Sequence, residues 1–282
     1  MRLAQLLPAF IKRPITAHIR TIAEIYLSSH PGEDAYCVKP KAPTAERPES
    51  GKLPIPPKEL WVGYGPDAQQ YISGGKRDVT DMVRILGEKG FSVGGAKRIL
   101  EFGCGAGRMI RHLPDVAPIA QLWGVDLSAQ HIRWCVDNLT PTIHFATTTL
   151  VPHLPFEDRF FDFIFCGSVF THIEDIQESW LLELGRVLRP SGKLYFTIHD
   201  EHTVKLLDTR CRDSLLAKSM RETSLYNCSK GNFNMIVISR GSLSQVFYNS
   251  RYVEHIIPPV FKWISLTPEA YGYQSAVILD RR

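Results

Sequence analysis

The segment Ile99-Leu100-Glu101-Phe102-Gly103-Cys104-Gly105-Ala106-Gly107 constrains this chain more than any other, because an apolar strand runs straight into three alternating glycines. Glycine lets the backbone turn sharply there and lets a ligand approach with no Cβ in the way. Asp126 closes the next apolar run, Leu122 to Asp126. It stands about 20 residues beyond the glycines, the spacing at which an acid accepts hydrogen bonds from ribose hydroxyls. Strand, turn, helix and strand thus surround a nucleoside. A dinucleotide fingerprint would put glycine where this chain has Arg108, and it places no carboxylate at the position of Glu101. A carboxylate there repels a pyrophosphate and suits an ammonium or a sulfonium. A nicotinamide-dependent reductase is disfavoured on the same two residues.

The rest of the chain alternates β-rich and helical patterns, the signature of a parallel sheet covered on both faces. Strands are expected at Arg98 to Phe102, Leu122 to Asp126, Thr142 to Ala146, Phe161 to Cys166 and Lys193 to Ile198. Helices are expected from Ala106 to Leu113, after Ser128, and from Glu174 or Asp175 to Leu188. Asp67 caps a short helix through Ile72, and Val79, Met82, Val83 and Leu86 stripe a second. Residues 1–57 form an N-terminal helical arm and a Pro-rich linker that runs from Pro40 to Pro57. Residues 58–282 form the main domain: a core at 95–200, a lid or insertion at about 200–250, and a terminal hairpin at 260–280. The arm's apolar stripe beside Lys12, Arg13 and Arg20 suits packing on the domain or on a second subunit, or contact with a membrane surface.

Composition excludes some classes. With Lys+Arg 33 against Asp+Glu 29, the chain is only +4, far from the basic footprint of a duplex nucleic-acid binder. A small-molecule or glycan partner is preferred. No run approaches the ~20 apolar residues of a membrane span. The six cysteines form no C-x-x-C pair and no zinc spacing, so no metal is expected. They read as reduced thiols in a cytoplasmic protein.

Glu101 to Gly107, Gly124-Val125-Asp126, Leu154-Pro155-Phe156 before Phe161-Asp162-Phe163-Ile164, and Leu184-Gly185-Arg186-Val187-Leu188-Arg189-Pro190-Ser191-Gly192 follow one another in the order and spacing of class I methyltransferase motifs. Over residues 95–200 the chain resembles that family, and more loosely its bacterial small-molecule and glycan-modifying members. The resemblance implies a Rossmann-like, doubly wound, mostly parallel seven-stranded sheet with an antiparallel last strand, and S-adenosyl-L-methionine as cofactor. It assigns Glu101 to the amino-acid end of the cofactor, Gly103, Cys104 and Gly105 to the close backbone approach, Asp126 to the ribose and Leu127 to the adenine. Members often place an acid after strand three, where this chain has Thr147-Thr148-Thr149, so a threonine hydroxyl, with Thr148 the candidate, or a backbone carbonyl is expected to take the adenine contact. Gly167 and Tyr71 complete the expected cofactor set.

On the acceptor side, reacting groups gather at the carboxyl ends of the strands. That position nominates His172 and His199 as catalytic, since a histidine can take a proton from an acceptor oxygen or nitrogen. The position after strand four, Gly167-Ser168-Val169-Phe170, lacks the Asp/Asn-Pro-Pro-aromatic clamp of nucleobase amine methylation. The expected reaction is methyl transfer to oxygen or nitrogen of a small molecule or sugar. The alternative is a non-catalytic cofactor-binding or scaffold domain of the same fold.

Overall fold

A computed structural model describes residues 53–139, 143–239 and 244–282, so the N-terminal arm and most of its linker lie outside the described residues. The strands are β1 (Arg98–Phe102), β2 (Gln121–Asp126), β3 (Ile143–Thr147), β4 (Phe161–Cys166), β5 (Leu188–Ile198), β6 (Met235–Ile238), β7 (Gln245–Tyr248), β8 (Phe261–Tyr271) and β9 (Gln274–Arg281). Seven of them form one sheet in the order β3-β2-β1-β4-β5-β9-β8. Neighbours from β3 through β5 pair in parallel, and β9 runs antiparallel to both β5 and β8. This is the expected doubly wound, mostly parallel sheet with a hairpin at one edge. The strand order reverses between β1 and β4, which is where such sheets open a crevice beyond their carboxyl ends.

Continuous apolar runs become strands because both faces of this sheet are covered. Leu100, Phe102, Ile164, Cys166, Leu194, Phe196, Val277 and Leu279 bury one face against Trp180, Leu181 and Leu184. Their sequence neighbours Ile99, Phe163, Phe165, Tyr195, Ala276 and Ile278 bury the other against Val79, Met82, Ile85 and Leu86. Each such side chain contributes roughly 1.5–3 kcal/mol on burial, and the alternation fixes strand register.

The helices are α1 (Ala68–Glu88), α2 (Leu113–Val116), α3 (Ala129–Leu139), α4 (Gln177–Val187), α5 (Glu201–Asp208), α6 (Leu215–Glu222), α7 (Tyr226–Ser229) and α8 (Ser250–Ile256). Two departures from the sequence reading have local causes. The two helices expected after Asp67 are a single helix of 21 residues, capped by Asp67, whose side chain accepts from the Gln70 N–H. Gly74-Gly75 does not break it, because α1 presses there against the glycine loop: a Cβ on Gly75 would overlap the Arg108 carbonyl oxygen. The helix expected from Ala106 is a series of turns that closes only at a 3-10 turn, Ile110–His112, followed by α2. Alternating left-handed glycines, with φ of 79°, 51° and 73° at 103, 105 and 107, keep the chain out of helical geometry until then. In addition, α4 starts at Gln177 rather than at Glu174 or Asp175, with Ile176 left-handed before it.

The insertion after β5 has its own apolar cluster, with Val204, Leu207, Ala217, Met220, Ile236, Ile238 and Phe247 packed together. Its β6–β7 ribbon is tied to the main sheet, since Val246 N–H donates to the Thr171 carbonyl and Tyr248 N–H to that of His199, both at 2.8 Å. Those two carbonyls follow β4 and β5. The insertion therefore stands at the carboxyl edge. Among the described residues, no helix is long and apolar enough to cross a membrane.

Candidate functional site

The expected cofactor residues other than Tyr71, which lies in α1, stand at the carboxyl ends of β1 to β4. Gly103 and Cys104 donate their N–H groups to the Val125 carbonyl at 2.8 and 3.0 Å, which bends the loop over the end of β2. Asp126 then holds two backbone donors: Oδ2 accepts from Gly105 N–H at 2.7 Å and Oδ1 from Ser128 N–H at 2.8 Å. An ionised carboxylate offers about four lone-pair directions, so half of Asp126 is left for a ligand's hydroxyls. At Gly105, φ is +51° and nothing lies within 4 Å of where a Cβ would stand. Only glycine leaves that space open. Leu127 is half-buried beside it.

Behind Asp126 two buried polar atoms have no hydrogen-bond partner, Thr148 Oγ1 and His131 Nδ1. The Thr148 N–H donates to the Asp126 carbonyl at 2.9 Å, and His131 Nδ1 lies 3.8 Å from Asp126 Oδ1. A buried hydroxyl or imidazole without a partner costs roughly 1–3 kcal/mol, and the polar groups of a nucleoside would relieve both. Thr148 is among the residues expected from the sequence, and His131 is not. Its only signal was its place in the first turn of the helix that Ser128 opens.

Cys104 reaches this site through its backbone alone. Its thiol is buried and donates to the Gly105 carbonyl at 3.6 Å, and Cys135 Sγ donates to the same oxygen at 3.5 Å. Gly167 passes the Tyr271 ring so closely that a Cβ would sit 3.0 Å from it. Tyr71 is 1% exposed, and its ring stacks on Trp61 at 5.3 Å. Burial pushes its hydroxyl pKa up, against the opposing charges of Arg108 and Arg111.

Glu101 is 3% exposed and accepts from the Ile110 N–H at 2.9 Å. Burial pushes its carboxyl up to about 8 from an ordinary 4.5, with the Arg108 charge and the Ile110 N–H acting against the rise. The folded chain therefore holds this proton more tightly than the unfolded chain. The stability linked to it is full below about 4.5 and is lost as pH rises to about 8. Without ligand, Glu101→Gln melts above the wild type by an interval that widens across that window and then levels off, as thermal denaturation will show. A ligand ammonium reverses the preference, since it needs the carboxylate. Wild-type affinity for S-adenosylhomocysteine rises through the same window, and that of the glutamine variant does not.

Arg108 is the residue whose partners sequence reading could not supply. Its guanidinium pairs with Asp78 at 2.7 Å, the two side chains 8% and 12% exposed, donates to the Tyr271 hydroxyl and lies 4.1 Å from the centre of the Tyr64 ring. One buried cation thereby joins α1, the glycine loop, the hairpin tip and the strap before α1. Arg111 adds a second tie, donating to the Leu53 and Pro54 carbonyls at 2.9 and 2.5 Å.

The acceptor side is a hydrogen-bonded ring at the ends of β4, β5 and β9. Ser168, left-handed at φ 58°, donates its N–H to Thr197 Oγ1 at 2.7 Å. The Thr197 hydroxyl donates to Gln274 Oε1 at 2.6 Å, and Gln274 Nε2 donates to Ser168 Oγ at 2.8 Å. The two histidines nominated by position differ. His172 is exposed and its Nδ1 lies 2.6 Å from the Ser244 carbonyl. A carbonyl only accepts, so Nδ1 carries the hydrogen and the Nε2 lone pair is free to take a proton. His199 is 1% exposed, stacked between the Phe247 and Tyr273 rings, and burial holds its pKa down at about 3. Such an imidazole packs the lid against the sheet. Among the described residues no group of three or more His, Cys, Asp or Glu could hold a metal ion.

Residues 100–196 match the family model described as a methyltransferase domain. Two curated relatives are named malonyl-[acyl-carrier protein] O-methyltransferase. The one from Hahella chejuensis is 25% identical over 44% of this chain and 42% of its own. The one from Bacillus cytotoxicus is 30% identical over 49% and 47%. The chain spans under half the length of the curated relatives it matches. A solved protein of Pyrococcus horikoshii shares the fold at TM-score 0.54 and 21% identity, across 80% of this chain and 99% of that one. Residues 100–196 thus carry the pattern of a methyltransferase domain, and the open glycine turn, the flanking Glu101 and Asp126 and the unpartnered Thr148 Oγ1 and His131 Nδ1 fit S-adenosylmethionine as its cofactor.

Proposed function

We propose that this protein methylates an oxygen or nitrogen of a small molecule or sugar, with His172 receiving the proton that the acceptor loses. The observation that carries the reading is the pair of carboxylates on either side of the open Gly105 turn. When bound, S-adenosylmethionine supplies a methyl group on a positively charged sulfur. Glu101 would hold the ammonium end and Asp126 the ribose hydroxyls, with the open turn at Gly105 between them. Orienting the reactants is the main catalytic contribution in a displacement of this kind. The 200–250 insertion closes the carboxyl edge and sets which acceptors enter. Two relatives named as O-methyltransferases support an oxygen acceptor. The proposed setting is the cytosol, in keeping with the free thiols of Cys104, Cys135, Cys166, Cys211 and Cys228.

Calorimetry of the full chain with S-adenosylmethionine tests the binding half of this reading, and absence of heat at millimolar ligand would overturn it. A screen of sugars, hydroxylated and carboxylated metabolites and amines, read as S-adenosylhomocysteine release, tests the chemical half. Binding with no turnover on any acceptor would favour the scaffold alternative. With an acceptor found, His172→Gln is expected to lower kcat by on the order of a hundredfold and to leave S-adenosylhomocysteine affinity unchanged.

A further inference from the structure

We infer that the amino-terminal edge of the sheet carries a second ligand site, one that takes a small molecule bearing two or more linked phosphates. A cleft of about 310 Å³ opens between the starts of β1, β4 and β5, lined by Lys97, Arg98, Arg159, Phe160, Asp162 and Arg189. Four of the six are cations. The one carboxylate is already committed: Asp162 Oδ2 accepts from the backbone N–H groups of Lys97 at 2.5 Å and Arg98 at 2.7 Å, and Oδ1 faces Arg189 at 2.6 Å. It answers one cation and leaves three.

Two of these cations are held by their side chains. The Arg98 guanidinium lies 4.3 Å from the centre of the Phe160 ring, and Arg189 is anchored by Asp162. Arg159 stands on a left-handed residue, φ 59°, whose N–H is fixed to the Arg186 carbonyl at 2.8 Å. A non-glycine residue in that region costs on the order of 1 kcal/mol, a strain that clusters at ligand sites. Among the described residues neither Lys97 nor Arg159 has an ion-pair partner. Asp158, next along the chain, is taken up by Arg186 at 2.8 Å.

Guanidinium forks match phosphate oxygens two at a time, and cations gathered in a concavity concentrate the field. A cleft of this volume is at the small end of ligand pockets, so it admits a compact polyanion. Glu157 and Asp158 on the preceding turn oppose a long nucleic-acid strand. The site is independent of the cofactor's, since β1 leads from one to the other over five residues, roughly 16 Å.

The test is calorimetry of the full chain with inorganic tripolyphosphate at low ionic strength. One saturable site is expected, weakening as salt is added. Lys97→Glu with Arg159→Glu should lose at least about tenfold in affinity and keep its S-adenosylhomocysteine affinity, which certifies the fold. Lys205→Glu with Arg251→Glu changes the net charge equally on other surfaces and should lose less than about twofold. The proposal is overturned by no heat at millimolar tripolyphosphate, by equal losses in both double variants, by displacement with S-adenosylhomocysteine, or by tighter binding of a polyglutamate peptide or an oligonucleotide.

Discussion

Asp126→Ala will lower the affinity of the full chain for S-adenosylhomocysteine by between about a hundredfold and ten-thousandfold, because two hydrogen bonds to a charged acceptor contribute roughly 1.5–3 kcal/mol each. The carboxylate already holds the backbone N–H groups of Gly105 and Ser128, and in the proposed reading it also takes the ribose hydroxyls. Alanine therefore also releases the turn it holds. That second effect is read separately, as a loss of about 1–3 kcal/mol in unfolding without ligand. Asp126→Asn keeps the shape and one acceptor, and should fall between wild type and alanine in calorimetric titrations. An alanine variant that binds within threefold of wild type would remove Asp126 from the ribose.

Asp78→Ala has the largest expected effect on stability. It leaves the Arg108 guanidinium 8% exposed and without its counter-charge, and an orphaned buried charge of that kind costs about 3–5 kcal/mol. The Tyr271 hydroxyl and the Tyr64 ring remain as partners, but neither is a carboxylate. Replacing both members, Asp78→Leu with Arg108→Met, removes the charges together and should cost far less than the sum of the single variants. Urea denaturation of the four proteins gives the coupling directly. If Asp78→Ala unfolds within 1 kcal/mol of wild type, water reaches the pair and the clamp holds nothing.

The two predictions bear on one turn from its two sides. Asp126 fixes it from β2, and Arg108 fixes it from α1 and the hairpin. Glu101 lies beneath, bonded to Ile110 where the turn finally closes. The cofactor cradle is thus preorganised by interactions that do not involve the cofactor, which reduces the ordering that binding would otherwise require.

Much of this was legible in the residues. The seven strands follow from apolar runs punctuated by glycine, proline and polar turns, and β4 falls on its expected limits, Phe161–Cys166, because six consecutive buried residues admit no other element between such turns. Glu101 and Asp126 were legible because each closes or nearly closes a strand, and a strand's end in a parallel sheet has only one place to be. The helix expected from Ala106 was not, because helix propensity at Ala106, Arg108 and Met109 yields to backbone angles that the neighbouring glycines adopt and that a ligand site requires. The histidines show the same limit. As residues after β4 and β5 they looked alike, and only packing distinguished an exposed imidazole fixed by the Ser244 carbonyl from one sealed between two aromatic rings.

What the sequence by itself determined is the local grammar: strand, glycine turn, acid before and acid after, repeated apolar periods and the order in which they come. Those depend on residues within a few positions of one another, where covalent connection already decides proximity. What only the tertiary structure decided is which distant residues meet. Arg108 finds Asp78 and Tyr271, and Ser168 finds Gln274, across separations of 30, 163 and 106 residues. No local rule selects such partners, since they are chosen by the order of strands in the sheet and by the demand that every buried charge and hydrogen-bonding group be answered.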